Sequence, residues 1–195
     1  MTTELIERPL VAPPYDPIAA AIADVEGLPE LAADQAVRTK ELVIVSWSGE
    51  LDRVWPMLIL SSTAAASGLR ARVFVTFWGL LPFVRDGVRI TGDNWMQKML
   101  SVMNPGNPSK AKLSRYHFAG AGPGMMKKLA KDYKTPLPSE LLEMAQDMGV
   151  RLIPCQMTMD LLGLKQDDLI DGLEEPIGAA TALLEMKTAA IQLFI

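Results

Sequence analysis

Apolar positions along this chain alternate between two patterns. Short unbroken apolar runs suit strands buried on both faces, and longer segments with apolar residues at helical spacing separate them. Leu42-Val43-Ile44-Val45 is the first such run and predicts a strand. Residues 46–50 read as the loop after it. Residues 51–67 read as a helix stopped by Gly68, with Pro56 a local irregularity. Residues 71–77, rich in β-branched and aromatic side chains, predict a second strand. A strand, a helix and a strand in so short a span make a βαβ unit, which implies parallel strands and a right-handed crossover.

The pattern loosens and then recovers. Residues 78–94 read as a long loop, 95–103 as an amphipathic helix, 104–124 as turn-rich and 125–131 as a short helix. Residues 137–148 predict a clearer helix, with Ser139 as N-cap and Gly149 as stop. An apolar strand at 150–154 leads into Cys155, and residues 156–163 read as a turn opening a short helix. A polar stretch at 165–171, a turn at Glu174-Glu175-Pro176, a last helix at 177–187 and a short strand at 190–195 complete the chain. Together these predict a three-layer α/β/α sandwich around a mostly parallel sheet of about five strands. Residues 1–40 stand apart. Pro9, Pro13, Pro14, Pro17 and Pro29 break them repeatedly, so they read as an extension, partly disordered or packed on a neighbour, before a domain at 41–195.

Composition narrows the function classes. With 49% apolar residues among 195, the chain can bury a substantial core. Its net charge is −4 and it has no long basic block, which argues against a nucleic-acid surface. The first residues lack the basic start and apolar run of a signal peptide. The longest apolar stretch, residues 73–84, is shorter than the roughly 18 residues a membrane span needs. These features and a single cysteine point to a cytoplasmic, reducing setting; peripheral membrane contact stays open.

That cysteine, Cys155, lies where a strand ends and a helix begins, a position at which α/β proteins commonly place their chemistry. An unperturbed thiol is only about 3% thiolate at neutral pH. Amide donors at a helix start would raise that fraction, and Asp160 would oppose them if it faced the sulfur. A buried, inert thiol is the competing reading. Cys155, Met157 and Met159 are also three soft ligands that suit copper(I), provided that they share a face. Nine of the twelve methionines lie between Met96 and Met159; they read as core filling, or as an adaptable cleft or subunit contact. Gly120-Ala121-Gly122-Pro123-Gly124 lacks the ending of a nucleotide loop and reads as a turn, whereas Ser46-Trp47-Ser48-Gly49 could hold an anion or equally be an ordinary connection. His117 is the sole histidine and could pair with Cys155, though a structural role is the simpler reading. Glu174-Glu175 and Asp167-Asp168 read as solvated. No cofactor or metal is called for.

Several segments in order resemble the DsrE/DsrF/DsrH-like proteins of sulfur metabolism, in particular their DsrE-type single-domain branch. They are residues 42–46 with Gly49, the run Phe74-Val75-Thr76-Phe77-Trp78-Gly79-Leu80, residues 120–128 ending in Met-Met-Lys-Lys, Cys155-Gln156-Met157-Thr158-Met159-Asp160 with Gly163, and Leu193-Phe194-Ile195. The resemblance covers about residues 41–195. It implies the family's α/β fold, homo-oligomeric assembly and a cysteine that carries sulfane sulfur as a persulfide, exchanged with rhodanese-like and TusA-like partner proteins. Only Cys155 transfers as a functional residue. The segment 1–40 has no counterpart in the resemblance, and Thr158 stands where serine is common. The expectation is a sulfur-relay protein centred on Cys155. Gln156, Met157, Thr158, Met159, Trp47, Gly49, Trp78 and Gly79 are expected to stabilise its thiolate or line its pocket. The alternative is a non-catalytic ligand-binding or assembly protein with a structural Cys155.

Overall fold

The computed structural model describes residues 39–86, 111–115 and 118–195. The extension expected over 1–40 lies outside them except for Thr39 and Lys40, as do the helix expected at 95–103 and His117. Four strands form one sheet: β1 (Thr39–Ser46), β2 (Arg70–Val75), β3 (Arg151–Pro154) and β4 (Ala189–Phe194). Their order is β3-β2-β1-β4 and every pairing is parallel. Helix α1 (Leu51–Ala66) joins β1 to β2. Further along come α2 (Ala121–Asp132), α3 (Pro138–Asp147), α4 (Gln156–Leu162) and α5 (Ala179–Thr188).

Side chains alternate across a strand, and this alternation builds the layers. Leu42, Ile44, Val73, Val75 and Leu152 face one way and join α1 and α3 in the larger core. Val45, Phe74, Ile153 and Cys155 face the other way, toward Ala182 and Met186 of α5. The domain is therefore α/β/α, with four strands among the described residues instead of about five. The place beside β3 is taken by a segment that forms only two bridges, Leu152 to Leu173 and Cys155 to Ile177. Pro176 lies in that segment and has no N–H to give, so a continuous ladder cannot form there.

Other departures have local causes. The second strand, expected to run to Phe77, ends at Val75, and Phe77 with residues 78–83, the latter expected in a loop, forms a 3₁₀ helix, Phe77–Phe83. The glycine-rich stretch expected as a turn opens α2: Gly120, at φ 98°, precedes the helix, and Pro123 lies in the first turn, where its missing N–H costs no bond. Helix α3 begins at Pro138 instead of being capped by Ser139, and Glu140 Oε2 accepts the Leu137 N–H at 2.7 Å. Glu174, read as solvated, is gripped by the Arg151 guanidinium. Asp168 accepts the Lys165 N–H at 2.7 Å through its carboxylate.

Candidate functional site

The carboxyl ends of the strands carry the candidate chemistry. In order across the sheet they present Cys155 after β3, Thr76 and Phe77 after β2, Ser46 to Gly49 around the end of β1, and Ile195 after β4. Cys155 is the residue just before α4 and lies in extended conformation at φ −81°, ψ 116°. Its N–H donates to Val75 O at 2.9 Å, and the Gln156 N–H donates to Ile177 O at 3.0 Å, so both flanks are fixed. The side chain is only 5% exposed.

Burial alone pushes the Cys155 thiol up. The hydroxyls of Thr158 and Thr76 and the backbone N–H groups of Thr158 and Met157 outweigh it and hold the thiol below its ordinary value. Thr76 has no place among the expected residues. The register pairing Val75 with Pro154 brings it beside Cys155, and alternation turns it to the same face as Phe74 and Ile153. Its Oγ1 lies 3.0 Å from Thr158 Oγ1, which also accepts the Phe77 N–H at 3.0 Å. Phe77 adopts φ 52°, a left-handed backbone costing a bulky residue about 1–3 kcal/mol. That turn aims its amide at the threonine pair.

The expected site residues divide into two groups. Met157 and Thr158 lend the sulfur amides and a hydroxyl. Gln156 turns outward and donates from Nε2 to Asp160 Oδ1 at 2.7 Å. Met157 is 73% exposed, whereas Met159 is buried in the core opposite the face of Cys155. The three soft ligands thus do not converge, which removes the geometric basis of the copper reading.

Trp47, Gly49, Trp78 and Gly79 form the second group. Gly79 donates its N–H to Trp47 O at 3.0 Å, and the Thr76 N–H donates to Ser46 O at 2.9 Å. Both glycines are needed for this contact. A Cβ at Gly49 would fall on the Trp78 carbonyl oxygen, and one at Gly79 on that of Ser46. Trp47, Gly49 and Trp78 line a cleft of about 470 Å³ with Leu81, Lys112 and Leu113. The Leu51 N–H donates to Lys112 O at 2.7 Å, and Asp52 accepts the Ser114 N–H at 2.9 Å, which anchors the outer wall to the start of α1. Cys155 is not among the residues lining this cleft. Aromatic rings stand around the second group, with Phe77 edge-on to Trp78 at 5.0 Å and Trp47 stacked on Phe194 at 6.4 Å. All four rings are at least 41% exposed.

Known proteins resemble this sequence. The Bacillus subtilis uncharacterized protein YrkE is 35% identical over 158 residues, which cover 81% of this chain and 98% of YrkE. The sulfur carrier protein DsrE2 of Allochromatium vinosum is 33% identical over 151 residues, covering 72% of this chain and 89% of its own. A solved structure of a protein of unknown function from Methanobacterium thermoautotrophicum aligns with 80% of this chain and 98% of its own at TM-score 0.45 and 14% identity. The sequence model of one family matches residues 38–194, and with it the segments that surround the thiol; the chain belongs to the DsrE/DsrF/DrsH-like family.

Proposed function

We propose that this protein is a sulfur relay that accepts and donates sulfane sulfur as a persulfide on Cys155. The observation that carries the reading is a thiol held below its ordinary pKa in spite of burial, by donors from the end of β2 and the first turn of α4. Its relative DsrE2 bears the name sulfur carrier protein, which accords with it. In loading, the Cys155 thiolate attacks the outer sulfur of a donor persulfide, R–S–SH. The Sγ–S bond forms, the donor S–S bond breaks, and its electron pair leaves on R–S⁻. In discharge an acceptor thiolate attacks the outer sulfur of Cys155–S–SH, and Cys155 departs as thiolate. No electrons are gained or lost overall, so the exchange needs no redox cofactor. With no second cysteine, the chain cannot discharge the sulfur wastefully into an internal disulfide.

The partners proposed are rhodanese-like donors and TusA-like acceptors, docking on the rim of Trp47, Phe77, Trp78 and Met157. Such exchange suits a reducing cytoplasm; among the described residues no helix is long and apolar enough to cross a membrane. Self-association belongs to the same proposal: Leu183, Leu184 and Phe194 are each at least 64% exposed on α5 and the edge strand β4. The carrier is the domain 41–195, and residues 1–40 are an added extension.

Mass spectrometry of the full chain tests the reading after incubation with polysulfide, or with thiosulfate and a rhodanese. The expected result is a mass gain of one sulfur atom that disappears in Cys155→Ser. No gain on a native chain whose Cys155 reacts with a small disulfide would overturn it. A second reading, a binding or assembly protein with an inert thiol, draws on the 5% exposure of Cys155 and the cleft that excludes it. A thiol silent toward reagents until the chain is denatured would favour that reading.

A further inference from the structure

We propose that Thr76 is a further functional residue of this site, one half of a two-hydroxyl relay with Thr158 that keeps an O–H donor on the Cys155 sulfur both when it attacks and when it departs. The inference deepens the persulfide reading and rests on it.

The geometry begins with the strained turn. Phe77, at φ 52°, directs its N–H to Thr158 Oγ1 at 3.0 Å. That amide occupies one acceptor lone pair of Thr158 and polarises its O–H away from Phe77. Thr76 Oγ1 lies 3.0 Å from the same oxygen, on the strand end that pairs with the one before Cys155, and both hydroxyls favour the thiolate. Each threonine has one proton, so two protons serve three contacts: between the hydroxyls, and from each to sulfur. Against a thiolate, at least one O–H turns to sulfur, and the other either joins it or bridges the pair. Because the hydroxyls rotate, the same pair can also release the sulfur when it bears a second sulfur atom and less charge.

These donors have opposite effects on the two halves of the exchange. Removing one lowers the thiolate fraction below the titration midpoint, but makes the remaining thiolate more basic and more nucleophilic. It also makes Cys155 a poorer leaving group. A residue that only held the loop in place would change neither balance in this way.

The test is the pH profile of Cys155 attack on hydroxyethyl disulfide, which forms Cys155–S–S–R and releases R–S⁻, in wild type, Thr76→Val and Thr76→Ser. A hydrogen bond to a charged group is worth about tenfold in the thiolate fraction. The valine variant's thiolate gains roughly threefold in reactivity in return. The Thr76→Val curve should therefore run about threefold below wild type at low pH and cross above it at high pH, while Thr76→Ser follows wild type. Discharge of a loaded Thr76→Val chain to a small thiol should be slower than wild type. Profiles that coincide, or slow uniformly at every pH, overturn the proposal. If Thr76→Val does not fold, Thr76→Ala is read the same way. The disulfide probe needs no sulfur donor, so a chain that never forms a persulfide would still give these curves. Failure of the relay reading and failure of this one are thus separable.

Discussion

The two ends of the sheet treat polarity in opposite ways. At the amino end charges meet charges around a buried carboxylate. Glu41, almost wholly buried, takes Arg70 at 2.8 Å and Arg72 at 3.1 Å; Arg72 also reaches Glu185 at 3.1 Å, and Arg151 grips Glu174. At the carboxyl end the donors gather on one thiol, and the aromatic rings stand uncovered. The amino end pairs its charges with one another, Arg72 Nε alone among them being buried without a partner, and holds strands together. The carboxyl end aims its donors at a negative charge that appears only when Cys155 ionises. The proposed function therefore rests on the carboxyl end, although the amino end carries more formal charge.

The largest expected effect breaks the carboxyl end at its backbone. Gly79→Ala drives a methyl onto the Ser46 carbonyl, which can move only by parting β1 from the turn after β2. Urea denaturation should show a loss of about 2–3 kcal/mol. Gly124 is a control of the opposite sign. A Cβ there meets nothing within 4 Å, and the residue is helical in α2, so Gly124→Ala should gain about 0.5–1 kcal/mol. Equal responses at the two positions would show that Gly79 is no tighter than an open helical site.

Breaking the amino end should cost somewhat less and leave the chemistry alone. Glu41→Gln removes the carboxylate that two arginines share, one of them only 17% exposed. Thermal denaturation should report a loss of about 1–2 kcal/mol, moderated because Arg70 is largely in solvent. The pH midpoint of Cys155 alkylation should stay at its wild-type value. A shifted midpoint would mean that the two ends are electrostatically coupled, and the contrast between them would fail.

How much of this the sequence discloses depends on the range over which each feature is determined. The runs 42–45, 71–77 and 150–154 announce buried strands locally, and Cys155 at the junction of the last with a helix is legible for the same reason. Gly49 and Gly79 are recognisable as a pair only by resemblance, because their cause is a contact between two loops. Thr76 is hidden further. Its hydroxyl meets Thr158 across 82 positions of sequence, and nothing local fixes that register. Alternation from Phe74 could at least have put it on the face of Ile153 and Cys155. The glycine-rich start of α2 misleads for the opposite reason: its composition favours a turn, yet of its three glycines only Gly120 takes the left-handed conformation, and the helix follows at once.

The aromatic rim sharpens the contrast at a smaller scale. Phe77→Asn keeps a residue that tolerates the left-handed turn, so its amide can still reach Thr158, but removes a ring that is 46% exposed. Loading from inorganic polysulfide should change by less than about twofold, since the donors to sulfur remain. Sulfur transfer from a rhodanese should slow about tenfold, the usual weight of an aromatic anchor in a docking surface. Stopped-flow or quenched mass spectrometry with both donors reads the ratio. Parallel losses with the two donors would show that Phe77 serves the thiol and not the partner.

The smallest effect is a slope in stability against pH. The folded thiol ionises below the value it has in the unfolded chain, because the Thr158 and Thr76 hydroxyls and two amides outweigh the cost of its burial. Between those two values the unfolded chain holds a proton that the native chain has lost, so unfolding takes up a proton and native stability rises with pH. Below the folded value both states are protonated and this contribution vanishes; above the unfolded value it is complete. Cys155→Ser has no such titration. The difference in unfolding free energy between wild type and Cys155→Ser, measured in urea across the alkaline range, should therefore grow with pH in favour of wild type and then level off. A difference flat in pH would mean that the donors at the carboxyl end do not favour the thiolate over the thiol. A difference of opposite sign would mean that burial dominates the sulfur after all. Either result would erase the distinction between an end of the sheet that is satisfied at rest and one that awaits a charge.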